Sequence, residues 1–328
     1  LISKIFVTAT IFVVVKNEDD LILYTLLNVL GMLLGNLSMF VGLGKLVKIK
    51  ICIPNNLAHL IRKSYHLMYT QLIASIQGPA ERGILNYFSK TTLNVGIYDQ
   101  GIKIINLMFS VLNSAINAMM PRMAFEMSEG NLETVKRYSH KVMDLGFAFS
   151  ILAISGIFNA SDSFVIFFFG SGYEEVATVM KITSISLLFT PLSSFLSSGI
   201  LIPQKKDNIV LLSAILITGT TIALNVLLDF KYTIYGISIS YVASSVLGFI
   251  YRYINTDQII NPNKMLSKMV LSASLIILNI QSVNIFRGFI TLQDGVFSFF
   301  VFSFITVGLN GLFLVASFFI KRIFIKVK

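Results

Sequence analysis

The sequence is poor in the residues from which catalytic and metal sites are usually built. It has one cysteine, three histidines and no tryptophan among 328 residues. The single Cys52 excludes a disulfide within the chain and a metal site made of several cysteines. His59 and His66 would lie about two helical turns apart, too far to share an ion. With no glycine-rich phosphate loop and no nucleophile–base motif, the sequence indicates no enzyme and no resident metal or cofactor.

Charged residues are also scarce, at 13%, whereas 55% of residues are hydrophobic and the mean hydropathy is +0.79. This balance is typical of an all-α polytopic membrane protein. Crossing a bilayer takes about 20 apolar residues, and ten segments are candidates. They are residues 1–15, 21–43, 57–77, 93–120, 142–158, 176–202, 209–228, 234–253, 265–285 and 296–320. Because the first starts inside an apolar run at Leu1, we expect a fragment that lacks its N-terminal part.

The chain has a formal net charge of +10, and its lysines and arginines are concentrated in every second connection between the segments. One set of alternate connections and segment ends holds Lys45, Lys48, Lys50, Arg122, Lys136, Arg137, Lys141, Lys205, Lys206, Arg252, Lys264, Lys268, Lys321, Arg322, Lys326 and Lys328. The other set holds only Lys16, Arg82, Lys90, Lys231 and Arg287, together with several acids. The positive-inside rule assigns the first set to the cytoplasm. The charge therefore indicates topology in a cell membrane with an anionic inner leaflet, and not binding to nucleic acid.

One segment carries a polar stripe, in the stretch YDQGIKIINLMFSVLNSAINAMM that begins at Tyr98. Its members are Asp99, Lys103, Asn106, Ser110, Asn113 and Asn117. Steps of three and four residues place all six on one helix face. Ionisable groups cost about 2.5 to 3.5 kcal/mol each inside a bilayer, so the stripe predicts a hydrated cavity. Asp99 and Lys103 can pair within the helix. The alternative is that these residues only join helices through buried hydrogen bonds.

The third segment has a polar face as well, made of His59, Arg62, His66, Tyr69 and Gln77. Arg62 lies near the end assigned to the cytoplasm, where it either extends to the interface or faces a cavity. The planar guanidinium of an arginine suits a phosphate, because it donates two parallel hydrogen bonds.

Four features lie outside these two faces. Lys181 lies near the outer end of its segment, where Pro191 is expected to bend the helix. Asn225 and Asn279 are single polar residues in apolar runs, which favours hydrogen bonds between helices. Residues 121–141 form the longest connection on the basic side, and we expect them to hold a short surface helix.

Several stretches together resemble the Wzx-type flippases of polysaccharide repeat units, in the MOP superfamily that also holds the MATE exporters and the lipid II flippases. They read VGIYDQGIKIINLMFSVLNSAINAMMPRMA, SEGNLETVKRY, IFFFGSGYEEVATVMKITSISLLFTPLSSFLSSGILIPQKK and YGISISYVASSVLGFIYRY. The resemblance implies a MOP/MATE-like helical bundle with about ten of an expected fourteen transmembrane helices. Residues 1–50 would then end the N-terminal lobe and carry a basic inter-lobe loop. Residues 51–255 would form the six-helix C-terminal lobe, and residues 256–328 two extra helices with a basic tail.

The resemblance also implies a function. Such proteins move a polyprenyl-pyrophosphate-linked oligosaccharide across the bacterial cytoplasmic membrane by alternating access, for capsule, O-antigen or exopolysaccharide assembly. The implied partners are this substrate, membrane lipids and other polysaccharide assembly proteins. Arg62 and Lys103 would contact the pyrophosphate, and Asp99 would tune Lys103 or carry proton or sodium coupling. The remaining cavity residues would be His66, Tyr69, Gln100, Asn106, Asn113 and Asn117, with Lys181 as a further candidate.

Two other functions compete with this one. A cation-coupled multidrug or small-solute antiporter of the MATE type would need a carboxylate-rich site. Asp99 is the only acid well inside a predicted span, which counts against it. A membrane enzyme that polymerises or ligates glycans would need a substantial external loop, whereas the outer connections are short.

Overall fold

A computed structural model of the chain describes residues 2–17, 20–38, 40, 57–257, 259–289 and 296–326. Side chains are described for the same residues except 2–4, 21, 57–64, 289, 296 and 313–326. Contacts divide the chain into two compact units, residues 1–62 and 63–328, with the division inside one helix. The three predicted regions, 1–50, 51–255 and 256–328, stay a prediction.

The regular structure of the described residues is helical throughout. The helices are α1 (Ile2–Val14), α2 (Leu21–Ser38), α3 (Leu57–Ser89), α4 (Thr92–Ser128), α5 (Leu132–Phe169), α6 (Glu174–Ser184), α7 (Thr190–Phe195), α8 (Asp207–Tyr232), α9 (Ile234–Ile254), α10 (Pro262–Phe289) and α11 (Val296–Lys326). Each of the ten predicted segments overlaps a described helix, and residues 1, 39 and 41–43 of the first two segments lie outside the described residues. Six stretches, from α4 to α10, are long and apolar enough to cross a membrane. The chain is therefore an all-α, multi-pass membrane protein.

The helices extend beyond the apolar segments that mark them in the sequence. The predicted surface helix within residues 121–141 is wrong, because that stretch forms the ends of two long helices. α4 runs to Ser128 and α5 starts at Leu132, so the connection between them is short. Gly130 has a φ of +74° in this turn, a conformation that glycine adopts without strain.

The first unit contains α1 and α2, which pack on each other. Gly31 of α2 lies against Val7 of α1, and a Cβ atom at Gly31 would lie 2.9 Å from the Val7 side chain. Between the helices, the Asp20 carboxylate accepts bonds from the backbone N–H groups of Lys16 (3.0 Å) and Asn17 (3.1 Å). These two bonds hold the pKa of Asp20 below its usual range.

In the second unit, small residues let the helices approach closely. Gly101 of α4 faces Val179 of α6, where an added Cβ would lie 2.6 Å from the valine. Gly236 of α9 lies so near the backbone of Leu228 in α8 that an added Cβ would be 2.7 Å from a carbonyl carbon. Close backbone approach at small residues is the usual way in which helices associate where hydrophobic burial gives no preference.

One membrane-crossing stretch is broken into several helical types. α6 ends at Ser184 and is followed by a 3₁₀ turn (Ile185–Leu188), by α7, and by a π-helix (Leu196–Leu201). The predicted bend occurs here, since Pro191 lies in the first turn of α7. Such breaks leave helical hydrogen bonds unmade, and they often mark functional sites.

Buried amides join α10 and α11 to α5. Asn279 accepts a bond from Asn159 (2.9 Å) and donates to Asn310 Oδ1 (3.1 Å) and to the Thr306 carbonyl (3.3 Å). Asn310 donates in turn to Ser155 of α5 (2.7 Å). The prediction that Asn279 joins helices is confirmed.

Candidate functional site

A cavity of about 710 Å³ lies in the second unit. It is lined by α3, α4, α7 with the π-helix, α8 and α9. On α3 its lining extends from Leu67 to Arg82, which is about 22 Å at 1.5 Å per residue. The hydrocarbon core of a bilayer is about 30 Å thick, so the cavity follows the helices through most of that depth.

The wall formed by the broken stretch and by α9 is rich in hydroxyl groups. It presents Ser193, Ser194, Ser197, Ser198, Ser244 and Ser245. The Ser194 hydroxyl donates to Asn113 Oδ1 on the opposite helix α4 (2.9 Å), while Ser198 and Ser244 donate to carbonyls one turn earlier. A serine oxygen that donates its proton to its own helix still accepts bonds from a ligand. The wall therefore suits a ligand with many hydroxyl groups.

At the acidic end of the cavity, α3 and α4 exchange polar contacts. Glu81 is only 5% exposed, and its two carboxylate oxygens accept bonds from Gln77 (2.8 Å) and from the Tyr98 hydroxyl (3.1 Å). Arg82 donates to Asp99 Oδ1 at 2.7 Å. Asp99 is thus paired with an arginine of the neighbouring helix, and not with Lys103 as the spacing within α4 had suggested.

Two buried polar residues of α8 lie near this end. Asn225 and Asp229 are fully buried, and among the described residues none of their four side-chain oxygen and nitrogen atoms has a hydrogen-bond partner. The prediction that Asn225 bonds another helix is therefore wrong. Asp229 is close enough to Glu81 for the two carboxylates to interact electrostatically. Neighbouring buried carboxylates cannot both keep a charge unless a proton or a cation compensates it.

At the other end of the cavity, Arg252 reaches in from the last turn of α9. Its Nε donates to the Ser213 hydroxyl of α8 at 2.8 Å. One terminal nitrogen donates to the hydroxyl (3.0 Å) and to the carbonyl (3.2 Å) of Ser193 in α7. The guanidinium of this α9 residue is therefore held by hydrogen bonds to two other helices, α7 and α8.

Of the predicted residues on α4, Asn106 and Asn113 line the cavity. The lining face of α4 comprises Tyr98, Ile102, Asn106, Phe109 and Asn113, so it shares two residues with the predicted stripe and departs from it at the other positions. Asp99 and Gln100 are half-buried beside it, whereas Lys103 and Asn117 are exposed and do not line it.

His66, Tyr69 and Lys181 do not line the cavity. The His66 ring contacts the Tyr65 ring, with centroids 3.7 Å apart, and Tyr69 is 48% exposed. Lys181 forms an ion pair with Asp162 of α5 at 2.6 Å. The side chain of Arg62 lies outside the described residues. α3 faces the cavity instead with Thr70, Gln71, Ala74, Gln77, Gly78, Glu81 and Arg82.

Hydropathy does not indicate Glu81 and Arg82 as site residues, because the third predicted segment ends at residue 77, before Pro79. The helix passes through this proline and continues to Ser89. Arg252 was counted only as a basic residue at the cytoplasmic end of its segment. The sequence does contain an indication of both arginines. Arg82 and Arg252 each lie on the same helix face as the small and hydroxyl residues of their helix.

No protein-family model matches the sequence, and no curated protein matches it. Among solved structures, the chain is similar to the lipid II flippase MurJ in its inward closed conformation. The TM-score is 0.73 at 13% sequence identity, and the match covers 98% of this chain and 66% of that one. The chain thus spans slightly less than two thirds of the length of that protein. The similarity shows the fold alone, a MurJ-like helical membrane-protein fold, in agreement with the all-helical bundle that the sequence predicts.

Proposed function

We propose that this chain belongs to a transporter that flips a lipid-linked oligosaccharide across the cytoplasmic membrane. The observation that carries the proposal is the long cavity inside a bundle of membrane-crossing helices, with a serine-rich wall and an arginine at each end. Groups of this kind are costly inside a bilayer, and they usually mark the path of a polar substrate. The solved structure of similar fold is that of a lipid II flippase, which moves a lipid-linked substrate.

The substrate we infer is a polyprenyl-pyrophosphate-linked repeat unit for capsule, O-antigen or exopolysaccharide assembly. Its sugars would exchange water for the hydroxyl and amide groups of Ser194, Asn106 and Asn113, while its lipid tail stays in the bilayer. Alternating access then opens the cavity to one leaflet at a time. The step is transport without a change of covalent bonds, and membrane lipids and other polysaccharide assembly proteins are the partners we expect.

A coupling cation fits the buried polar pair Asn225 and Asp229 of α8, with the Glu81 carboxylate of α3 near Asp229. Their oxygen atoms are hard ligands of the kind that bind sodium, and the orphaned atoms of α8 have no other partner among the described residues. A proton on either carboxylate would satisfy the same electrostatic requirement. Coupling would thus be carried by these residues, and not by Asp99, whose charge is neutralised by Arg82.

The same cluster removes one argument against a MATE-type antiporter. Asp99 is not the only acid inside the helices, because Glu81 and Asp229 are buried in α3 and α8. The hydroxyl wall and the similarity to a lipid II flippase nevertheless favour a lipid-linked sugar over a drug. A transport experiment with both substrates separates the two functions.

The test uses proteoliposomes that contain a fluorescent polyprenyl-diphosphate oligosaccharide, whose arrival in the outer leaflet is measured by a membrane-impermeant quencher. Asn113→Leu removes a cavity-lining amide that accepts a bond from Ser194. Asn117→Leu is the matched control, one turn further on α4 and exposed. We expect slow flipping by the first variant alone. Equal rates for the two variants, or uptake of a cationic drug with no lipid flipping, would contradict the proposal.

A further inference from the structure

We propose that Arg252, together with Ser193 and Ser213, forms a binding station for a diphosphate at the basic end of the cavity. This inference rests on the proposed function, since it assigns the station to the diphosphate of the transported lipid. The family resemblance implied other contacts for the diphosphate, Arg62 and Lys103, which belong to α3 and α4.

The first argument is that the charge of Arg252 is uncompensated. In the described part of the chain no carboxylate lies within ion-pair distance of it, although the guanidinium is half-buried. Two other cations, one towards each end of the cavity, are neutralised: Arg82 is paired with Asp99 (2.7 Å) and Lys206 with Asp257 (2.5 Å). A guanidinium removed from water without a counter-ion is costly, and a bound anion would lower that cost.

The second argument is the orientation of the guanidinium. Hydrogen bonds to Ser213 and Ser193 occupy Nε and one terminal nitrogen. The second terminal nitrogen has no partner among the described residues, and Arg252 lines the cavity. An arginine fixed on one edge presents its remaining N–H groups in a plane that matches phosphate oxygens. The Ser213 and Ser193 contacts thus orient the group before a ligand arrives.

The third argument is the contrast between the two ends of the cavity. The end with Arg82 presents a neutral ion pair, whereas the end with Arg252 presents a free positive charge. The positive-inside pattern assigns the Arg252 end to the cytoplasm, where the proposed substrate is taken up. The station is therefore a loading site for the substrate.

The test measures binding of inorganic pyrophosphate and of farnesyl diphosphate to the purified protein in nanodiscs of uncharged lipid. Arg252→Gln should weaken the binding of both probes by about 10- to 100-fold, as expected for charge-assisted hydrogen bonds. Lys206→Gln is the matched control, because it removes a positive charge at the same end from a residue that does not line the cavity. We expect it to change binding less than threefold. Equal affinities of Arg252→Gln and wild type would overturn the proposal.

A second variant separates ligand binding from a purely structural role of Arg252. Ser213→Asp keeps the arginine and supplies the counter-ion that it lacks, so the protein should melt no lower than wild type while pyrophosphate binding falls at least tenfold. Unchanged binding in Ser213→Asp would contradict the station even if Arg252→Gln failed to fold.

The two probes identify the source of the ligand. Farnesyl diphosphate that displaces pyrophosphate supports a lipid diphosphate as the ligand, and failure to displace it overturns that assignment. Binding requires no transport, so the two proposals fail separately. Wild-type protein that binds pyrophosphate through Arg252 but flips no lipid contradicts the proposed function alone, whereas flipping with an unchanged affinity in Arg252→Gln contradicts the station alone.

Discussion

The substitution Asn279→Leu tests whether buried amides hold α10 and α11 to the bundle. Leucine removes three hydrogen bonds at this position, and hydrogen bonds between membrane helices average about 0.6 kcal/mol each. The change also leaves Asn310 Oδ1 without its donor from Asn279, which adds about 1 kcal/mol or more for an unsatisfied buried acceptor. The expected loss of stability is about 3 kcal/mol. The apolar gain from leucine is small, because lipid is an equally good solvent for it.

The assay is thermal unfolding of the purified protein in detergent, followed by size-exclusion chromatography of the material that stays folded. A loss of about 3 kcal/mol corresponds to roughly 4 °C in the midpoint, because the unfolding entropy of a chain of this size is about 0.7 kcal/mol/K. Asn284→Leu is the control, since Asn284 lies on the same helix α10 and is exposed. It should melt within about 1 °C of wild type, as surface substitutions usually do. If Asn279→Leu melted as high as Asn284→Leu, the buried network would not be what holds these helices.

Further substitutions test other parts of the bundle. Gly236→Val should lower the melting midpoint by several degrees, because its Cβ would meet the backbone of α8. Gly219→Val is the control, since Gly219 has open space around it, and equal midpoints of the two variants would contradict the close approach. Asp162→Asn breaks the partly exposed pair with Lys181, so we expect a loss below about 1 kcal/mol that disappears in high salt. A larger, salt-independent loss would show that the pair is desolvated. Asp229→Asn should abolish any dependence of flipping on sodium or pH, and a retained dependence would place coupling elsewhere.

Hydropathy alone located the helices but ended several of them too early. The third segment was predicted to end at residue 77, whereas α3 ends at Ser89. The fifth was predicted to end at residue 158, whereas α5 ends at Phe169. Both extensions contain acids, which lower a hydropathy average. Because Glu81 is bound by residues of its own and the neighbouring helix, the backbone remains helical where the average falls. Such partners come from tertiary structure, and one segment read alone does not show them.

The polar stripe on α4 predicted a cavity-lining helix but not its rotation. Asn106 and Asn113 face the cavity, and the apolar Ile102 and Phe109 line it on the same face. Lys103 is exposed on another face, although it belongs to the same stripe by spacing. A helix face about 100° wide can contain either the predicted stripe or the residues that line the cavity. Which set faces the cavity is decided by where the neighbouring helices pack, and the sequence of one helix does not contain that information.

The sequence does, however, contain a pattern that predicts the ion pairs between helices. Asp99 has Lys103 one turn away, yet it pairs with Arg82, seventeen residues earlier. Arg82 lies eight positions before the turn at residues 90–91, and Asp99 lies eight positions after it. Asp162 and Lys181 are likewise eight positions from either side of the turn at residues 170–173. In two antiparallel helices, residues at equal distance from the turn lie at the same height, here about 12 Å from it. Opposite charges placed symmetrically about a short turn therefore predict a contact between helices, and this pairing explains both ion pairs better than the spacing within one helix.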